Sequence, residues 1–149
     1  MSSPNLKKKI IIYTDGACKG NPGKGGWGAV IFDNDIKKEI SGNCNNTTNN
    51  IMEMTAAIKA LSCFKTKKDI VLYTDSNYLK LGITEWIKNW KKNNWVNKKR
   101  EAIKNKELWL TLDKLNKLHL VEWKWVKAHN GDPGNERADY LASTAAIEL

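Results

Sequence analysis

Four acidic residues stand where carboxylates could do chemistry: Asp15, Glu53, Asp75 and Asp139. Asp15 follows the β-branched run Lys9 to Thr14, and Asp75 follows the apolar run Asp69 to Thr74. Glu53 is wedged among Ile51, Met52 and Met54, and Asp139 precedes Tyr140-Leu141-Ala142. Sites in parallel α/β sheets form beyond the carboxyl ends of strands, so Asp15 and Asp75 would project together if their strands were neighbours. Carboxylates gathered in one place repel unless a cation compensates them, and hard oxygen donors select Mg²⁺ or Mn²⁺. Each acid also has an ordinary explanation. Asp15-Gly16 could be a turn, Asp75 before Ser76 a helix cap, and Glu53 or Asp139 a solvated helix position. Spacing alone does not decide between these and a cation site.

A second group of residues invites a different chemistry. Glu85 to Lys99 interleaves Trp86, Trp90 and Trp95 with Lys88, Lys91, Lys92, Lys98 and Lys99. Trp86 and Trp90 are four apart and share a helix face, with Trp86 expected to pack inward. Rings flanked by cations suit a nucleic-acid backbone.

The elements that must position these groups follow from periodicity and punctuation. Lys9 to Thr14 reads as a first strand, expected to end at Asp15. Gly16 to Gly26, with five of the ten glycines and Pro22, reads as a sharply turning loop. Trp27 to Phe32 and Lys37 to Ser41, joined by the turn Asp33 to Asp35, complete an expected antiparallel meander. Thr47 or Thr48 can cap a helix that carries Ile51, Met52, Ala56, Leu61 and Phe64 on its apolar face. Asp69 to Thr74 is nearly continuous in apolar residues, as a strand buried on both faces would be. Asn77 to Leu81, Glu85 to Lys92 and Lys106 to Leu118 read as helices, Val121 to Val126 as a strand and Asn135 to Ala146 as a last helix. The order β-β-β-α-β-α-α-α-β-α implies an α/β fold with a mixed five-stranded sheet flanked by helices.

At 149 residues the chain has room for one core, and 41% hydrophobic with 28% charged residues is a globular composition. No apolar run reaches the roughly 18–20 residues that span a bilayer, and the start of the chain does not read as a secretory signal. An intracellular, cytoplasmic protein is therefore expected. Cys18, Cys44 and Cys63 are odd in number and contain no Cys-x-x-Cys pair, which argues against a disulfide framework and a thiolate zinc site. A formal net charge of +9, from 25 basic and 16 acidic residues, favours a polyanionic partner or a lysine-rich solubilising surface.

Four segments together resemble type 1 ribonuclease H. Tyr13 to Gly23 followed by Gly25-Gly26-Trp27-Gly28 is similar to that family's opening motif, and Thr48-Asn49-Asn50 with Met52-Glu53 and Ala56-Ala57 to its second. Tyr73-Thr74-Asp75-Ser76 resembles the third. The fourth is matched by Val126-Lys127-Ala128-His129, Gly131, Gly134 to Asp139 and Leu141-Ala142. The match runs from about Lys9 to the end, in order. It implies a ribonuclease H-like fold, three antiparallel strands then two parallel, forming one catalytic domain over residues 1–149 with a short flexible N-terminus at 1–8. No separate hybrid-binding domain is expected before the first strand.

The resemblance implies a metal-dependent endonuclease that hydrolyses the RNA strand of RNA–DNA hybrids. Asp15, Glu53, Asp75 and Asp139 would hold two Mg²⁺ ions about 4 Å apart with substrate bound, Mn²⁺ being a substitute, with Asp15 bridging them. One ion would generate the attacking hydroxide and the other stabilise the departing 3′ oxygen, leaving a 5′-phosphate and a 3′-hydroxyl. His129 matches a histidine that assists proton transfer or product departure, and Glu136 a supporting acid near the metals. Backbone groups near Gly16 and Cys18 and the side chains of Asn49, Glu53 and Asn77 would read 2′-hydroxyls, the sugar group that separates RNA from DNA. Asn77 stands where relatives commonly carry a longer glutamine. Asn21, Thr48 and Asn105 are expected at a DNA phosphate pocket, where Asn46 replaces a frequent arginine. Trp86, Trp90, Lys91 and Lys92 fall in a segment resembling the family's basic protrusion.

Three other classes compete. An integrase-like strand transferase typically lacks the Asn-Glu-Arg-x-Asp acid and the basic helix. A non-catalytic hybrid-binding module needs no complete acid set, and a membrane-surface protein would want a broad apolar helix face beside its lysines. The full set of four carboxylates and a histidine favours the nuclease, acting as a monomer in tasks such as primer removal in DNA replication or hybrid clearance.

Overall fold

The computed structural model describes residues 9–148; the expected flexible stretch 1–8 lies outside the described residues. Strands β1 (Ile10–Gly20), β2 (Gly23–Asp33) and β3 (Ile36–Thr47) form the expected antiparallel meander. Strand β4 (Asp69–Thr74) lies parallel to β1, and β5 (Leu120–Trp125) parallel to β4. The sheet order is β3-β2-β1-β4-β5, which makes β1 the central strand.

Helix α1 (Asn49–Leu61) begins where the Thr48 hydroxyl accepts a hydrogen bond from the Ile51 N–H at 3.2 Å. Of the two threonines that could cap it, Thr48 is the one that does. Helices α2 (Asn77–Leu81) and α3 (Ile87–Lys92) are joined by a π-helical turn over Gly82–Trp86, and α4 (Lys106–Leu118) follows. Met54 and Leu61 of α1 bury against Ile12, Ile31, Ile70 and Leu72 of the sheet, with Leu79, Trp109 and Leu112 completing the core. Each fully buried aliphatic side chain there stabilises the fold by about 1.5–3 kcal/mol. Helix α5 (Pro133–Ile147) packs on β1, β2 and β3, burying Ala138, Ala142, Ala145 and Ala146.

Three expectations need correction. The glycine-rich segment 16–26 is not a loop: β1 and β2 stay paired through Gly20 and Gly23, with a tight turn at Asn21-Pro22. Its glycines serve contact as well as turning, since a Cβ on Gly26 would lie 2.2 Å from the Ala142 carbonyl of α5. Asp15 consequently does not end β1 but sits within it, opposite Gly28. What ends beside it is the pairing with β4, whose last partners are Thr14 and Thr74. The helix expected over Glu85 to Lys92 starts earlier, because buried Ile83 and Ile87 hold both sides of the α2–α3 junction in the core and the helical path runs on.

Candidate active site

Asp15, Glu53 and Asp75 converge from three elements. Asp15, 4% exposed, leaves β1 one residue beyond the last pair with β4, and Asp75 immediately follows β4. Glu53, 3% exposed, comes from α1, which lies so close to β1 that a Cβ on Gly16 would be 2.5 Å from the Glu53 nitrogen. Only glycine permits that approach. The three carboxylates each offer one oxygen, and these oxygens all lie within 4.8 Å of one another. Asp139, on the inner side of α5, completes the group by interacting with the Asp15 carboxyl.

The electrostatics follow from this crowding. Burial first, then the charge of Asp75 and the contact with Asp139, push Asp15 up to about 9, against a smaller lowering by the Gly16 backbone. Glu53 is raised well above the usual carboxylate range, again by burial first and then by Asp15 and Asp75. Glu53 Oε1 is buried with no hydrogen-bond partner. A buried acceptor among carboxylates that cannot all ionise is an unfavourable arrangement alone. A hard divalent cation is the compensating group that such an all-oxygen donor set fits.

Two supports of Asp75 were not anticipated from sequence. The buried Asn135 of α5 donates through Nδ2 to Asp75 Oδ2 at 3.2 Å. The Trp125 indole N–H at the end of β5 donates to the Asp75 backbone carbonyl at 3.0 Å. Asn135 lies four residues before Asp139, one helical turn away, and that spacing was a legible signal. Nothing in the sequence pointed to Trp125.

The residues expected to meet a nucleic acid fall into separate groups. Asn21 Oδ1 accepts from the Asn49 N–H at 3.3 Å, and Cys18 Sγ donates to the Thr47 carbonyl at 3.3 Å. These bonds tie the β1–β2 turn to the start of α1, bringing Gly16, Cys18, Asn21, Thr48 and Asn49 to one edge. Asn77 is exposed at the start of α2. Asn105 heads α4 and its amide donates to the Tyr78 hydroxyl at 3.1 Å; no hydrogen bond among the described residues joins it to Thr48 or Asn21. His129 is exposed in the loop before α5, with φ 55°, and Glu136 is exposed in that helix's first turn. The three cysteines are free thiols.

The tryptophan–lysine segment forms a handle. Trp90 is its pivot, with ring centroids 6.2 Å from Trp86, 6.0 Å from Trp95 and 5.2 Å from Trp109. Trp86 does not pack inward as expected but is 39% exposed: its ring lies against Tyr78 and Trp90, and those two rings, not Trp86, meet the fully buried Trp109. A groove of about 640 Å³ beside Trp90, Val96 and Ile103 carries Lys92, Lys98 and Arg100 at its rim. Lys91 points elsewhere and pairs with Asp113 at 2.7 Å.

Comparison with known proteins follows the same outline. A family model described as RNase H matches residues 7–147. A protein named Ribonuclease H from Francisella tularensis subsp. novicida is 55% identical over 143 residues, covering 96% of this chain and 94% of that protein. Among solved structures, LC9-RNase H1, described as a type 1 RNase H with the type 2 active-site motif, matches with a TM-score of 0.86 and 31% identity over 98% of this chain and 75% of its own. LC11-RNase H1 in complex with RNA/DNA hybrid matches with a TM-score of 0.66 and 26% identity over 94% of this chain and 98% of that one.

Proposed function

Because the chain belongs to the type 1 ribonuclease H family, we propose that Asp15, Glu53, Asp75 and Asp139 are its metal ligands and catalytic carboxylates. The chain is an endoribonuclease that hydrolyses the RNA strand of RNA–DNA hybrids, and the family is metal-dependent. The observation that carries the assignment is the convergence of three carboxylate oxygens within 4.8 Å, one of the carboxylates leaving a buried oxygen without a partner. We read two Mg²⁺ ions as the physiological cofactor, with Mn²⁺ able to replace them. Bound there, divalent cations supply charge stabilisation along the phosphodiester and a water nucleophile at neutral pH.

The chain's own residues divide the remaining work. Asp15, fixed in the central strand, would hold the cations together with Glu53 and Asp75, which flank it from α1 and the end of β4, and Asp139 from α5. His129, on an exposed loop, exchanges a proton with solvent and with the departing product. The products carry a 5′-phosphate and a 3′-hydroxyl. Asn49, Asn77, Glu53 and the backbone at Gly16 and Cys18 read 2′-hydroxyls, while Asn21, Thr48 and Asn105 face the DNA strand. Glu136 supports the site from the start of α5. Trp86, Trp90 and Lys92 grip the backbone, with Lys91 contributing less because Asp113 engages it. Contacts of this kind carry no base sequence, so weak sequence preference and steep salt dependence follow.

We read residues 1–149 as one catalytic domain acting as a cytoplasmic monomer, in primer removal or hybrid clearance. No helix among the described residues is long and apolar enough to cross a membrane. The deciding experiment incubates labelled RNA–DNA, RNA–RNA and DNA–DNA duplexes with the protein in Mg²⁺ and in EDTA. Metal-dependent cutting of the hybrid's RNA strand alone, lost in Asp15→Asn, is the expected result. Tight hybrid binding with no cutting under any metal would instead make the chain a binding module.

A further inference from the structure

Asp75 is half-buried at the junction between two elements. It has left β4 and has not yet entered α2, so neither a strand ladder nor a helix fixes it. Two hydrogen bonds from other elements supply support there. From α5, Asn135 donates through Nδ2 to Asp75 Oδ2 at 3.2 Å, and from β5 the Trp125 indole donates to the Asp75 carbonyl at 3.0 Å.

Both donors are themselves held. Asn135 is 2% exposed, and its backbone N–H donates to Asp132 Oδ1 at 3.1 Å in the cap that starts α5. Trp125 pairs with Thr74, and the next residue, Val126, donates its N–H to the Thr74 carbonyl at 2.9 Å. An amide nitrogen can only donate, so its bond holds Asp75 as an acceptor and engages one of its two oxygens. Asn135 and Asp139 stand one turn apart on α5, so a single helix directs a donor at Asp75 and an acid at Asp15. It thereby sets the spacing between carboxylates that come from two different strands.

We infer that Asn135 and Trp125 are positioning residues for divalent-cation binding, presetting the Asp75 carboxylate so that one oxygen is held by the amide and one is left for a cation. The inference rests on the reading of Asp15, Glu53 and Asp75 as cation ligands. Groups that orient a ligand in this way typically change metal affinity about 10–100-fold when removed. Trp125 acts on the backbone rather than on the carboxylate, so its effect is the smaller of the two.

The test is calorimetric titration of Mn²⁺ into the substrate-free protein, its Asn135→Ala and Trp125→Phe variants, with thermal unfolding of each in EDTA. Asn135→Ala should bind Mn²⁺ about 10-fold or more weakly, and Trp125→Phe should fall between it and the wild type, both without a matching loss of cation-free stability. In cleavage assays excess Mn²⁺ should restore kcat while KM for the hybrid stays unchanged. A folded Asn135→Ala protein with wild-type Mn²⁺ affinity overturns the inference. So does an affinity loss that merely follows a fall in Tm. If Asn135→Ala does not fold, Trp125→Phe decides: weakened binding supports the inference and unchanged binding overturns it. Wild-type protein that takes up no Mn²⁺ overturns the carboxylate reading and this inference together, whereas binding equal in all three proteins overturns this inference alone.

Discussion

The carboxylate cluster and the tryptophan–lysine handle are built on opposed principles. In the cluster, Asp15 and Glu53 are almost fully buried, and the positions of their backbones are set by the central strand and by a helix in direct contact with it. The handle keeps its cations in solvent and anchors only its base, through the contacts of Trp90 with Trp109 and Trp95. At and beyond that base the backbone takes positive φ at Asn94 (56°), Trp95 (61°) and Arg100 (62°), a loop geometry rather than a regular sheet or helix. Burial makes charge interactions strong and geometry-dependent, and exposure makes them weak, screened and additive. The same chain therefore fixes oxygens in one region and leaves cations loose in the other, as the proposed division between chemistry and attraction of a polyanion requires.

The largest expected effects come from breaking the buried side. Asp15→Asn should lower kcat by roughly 10³-fold or more, since several kcal/mol of charge stabilisation are lost and each 1.36 kcal/mol is tenfold. Hybrid affinity, measured by fluorescence anisotropy in Ca²⁺, should stay within about threefold if, as proposed, phosphate contacts outside the carboxylate cluster carry most of it. A collapse of binding equal to the collapse of cleavage would erase the division between the two regions. His129→Ala, at an exposed position outside the cluster, should slow kcat by about 10²-fold without abolishing it.

The cluster also predicts an unusual dependence of stability on pH. Asp15 is raised to about 9 from an ordinary 3.8, and Glu53 moves in the same direction. Between those values the folded protein keeps protons that the unfolded chain releases. In EDTA, stability is thus full below about pH 4 and declines as pH rises toward about 9. Asp15→Asn should remove much of that decline and stabilise the protein at pH 8 by roughly 1–3 kcal/mol, the scale of relieving one unfavourable buried polar group. Saturating Mg²⁺ should narrow or reverse the difference, because binding to the folded state alone stabilises the wild type. Urea unfolding at pH 5 and pH 8, with and without Mg²⁺, measures this. A wild type whose metal-free stability rises with pH would remove the electrostatic basis of the site.

How far the sequence foretold these regions depended on the kind of signal. Strand β4 (Asp69–Thr74) and helix α4 (Lys106–Leu118) begin and end where their apolar patterns place them, because a buried element writes its period into its own residues. The hairpin reads as a loop because a glycine in a turn and a glycine under a helix look alike in sequence. Gly26 is there for Ala142, more than a hundred residues away. Trp86 and Trp90 share one spacing, and what separates them is Trp109, whose arrival from α4 no local pattern announces. The acids are legible through motif resemblance rather than through periodicity. Asn135 could have been found by its helical spacing from Asp139, but Trp125 meets Asp75 only through sheet pairing, which becomes visible once the fold is known.

On the exposed side the effects should be smaller and should respond to salt. Replacing Lys92, Lys98 and Arg100 together by alanine should raise KM about tenfold near 0.1 M salt, and each lost phosphate contact should reduce the salt slope of log affinity by about 0.9 or less. A kcat changed as much as KM would show that the handle takes part in the chemistry.

The finest test lies within the handle, between adjacent lysines. Lys91 pairs with Asp113 at 2.7 Å, while Lys117 holds the other oxygen of that aspartate at 3.2 Å. Removing Lys91 therefore leaves Asp113 compensated, and an exposed pair of this kind contributes only about 0–1 kcal/mol to stability. Lys92 has no ion pair among the described residues, so its charge is wholly available to a phosphate backbone. Lys92→Ala should weaken hybrid binding about two- to fourfold and reduce the salt slope, whereas Lys91→Ala should change affinity by less than about twofold. Equal losses from the two substitutions would mean that the Lys91–Asp113 pair opens when the hybrid docks. The handle would then rearrange on binding instead of presenting a charge pattern already set in the free protein.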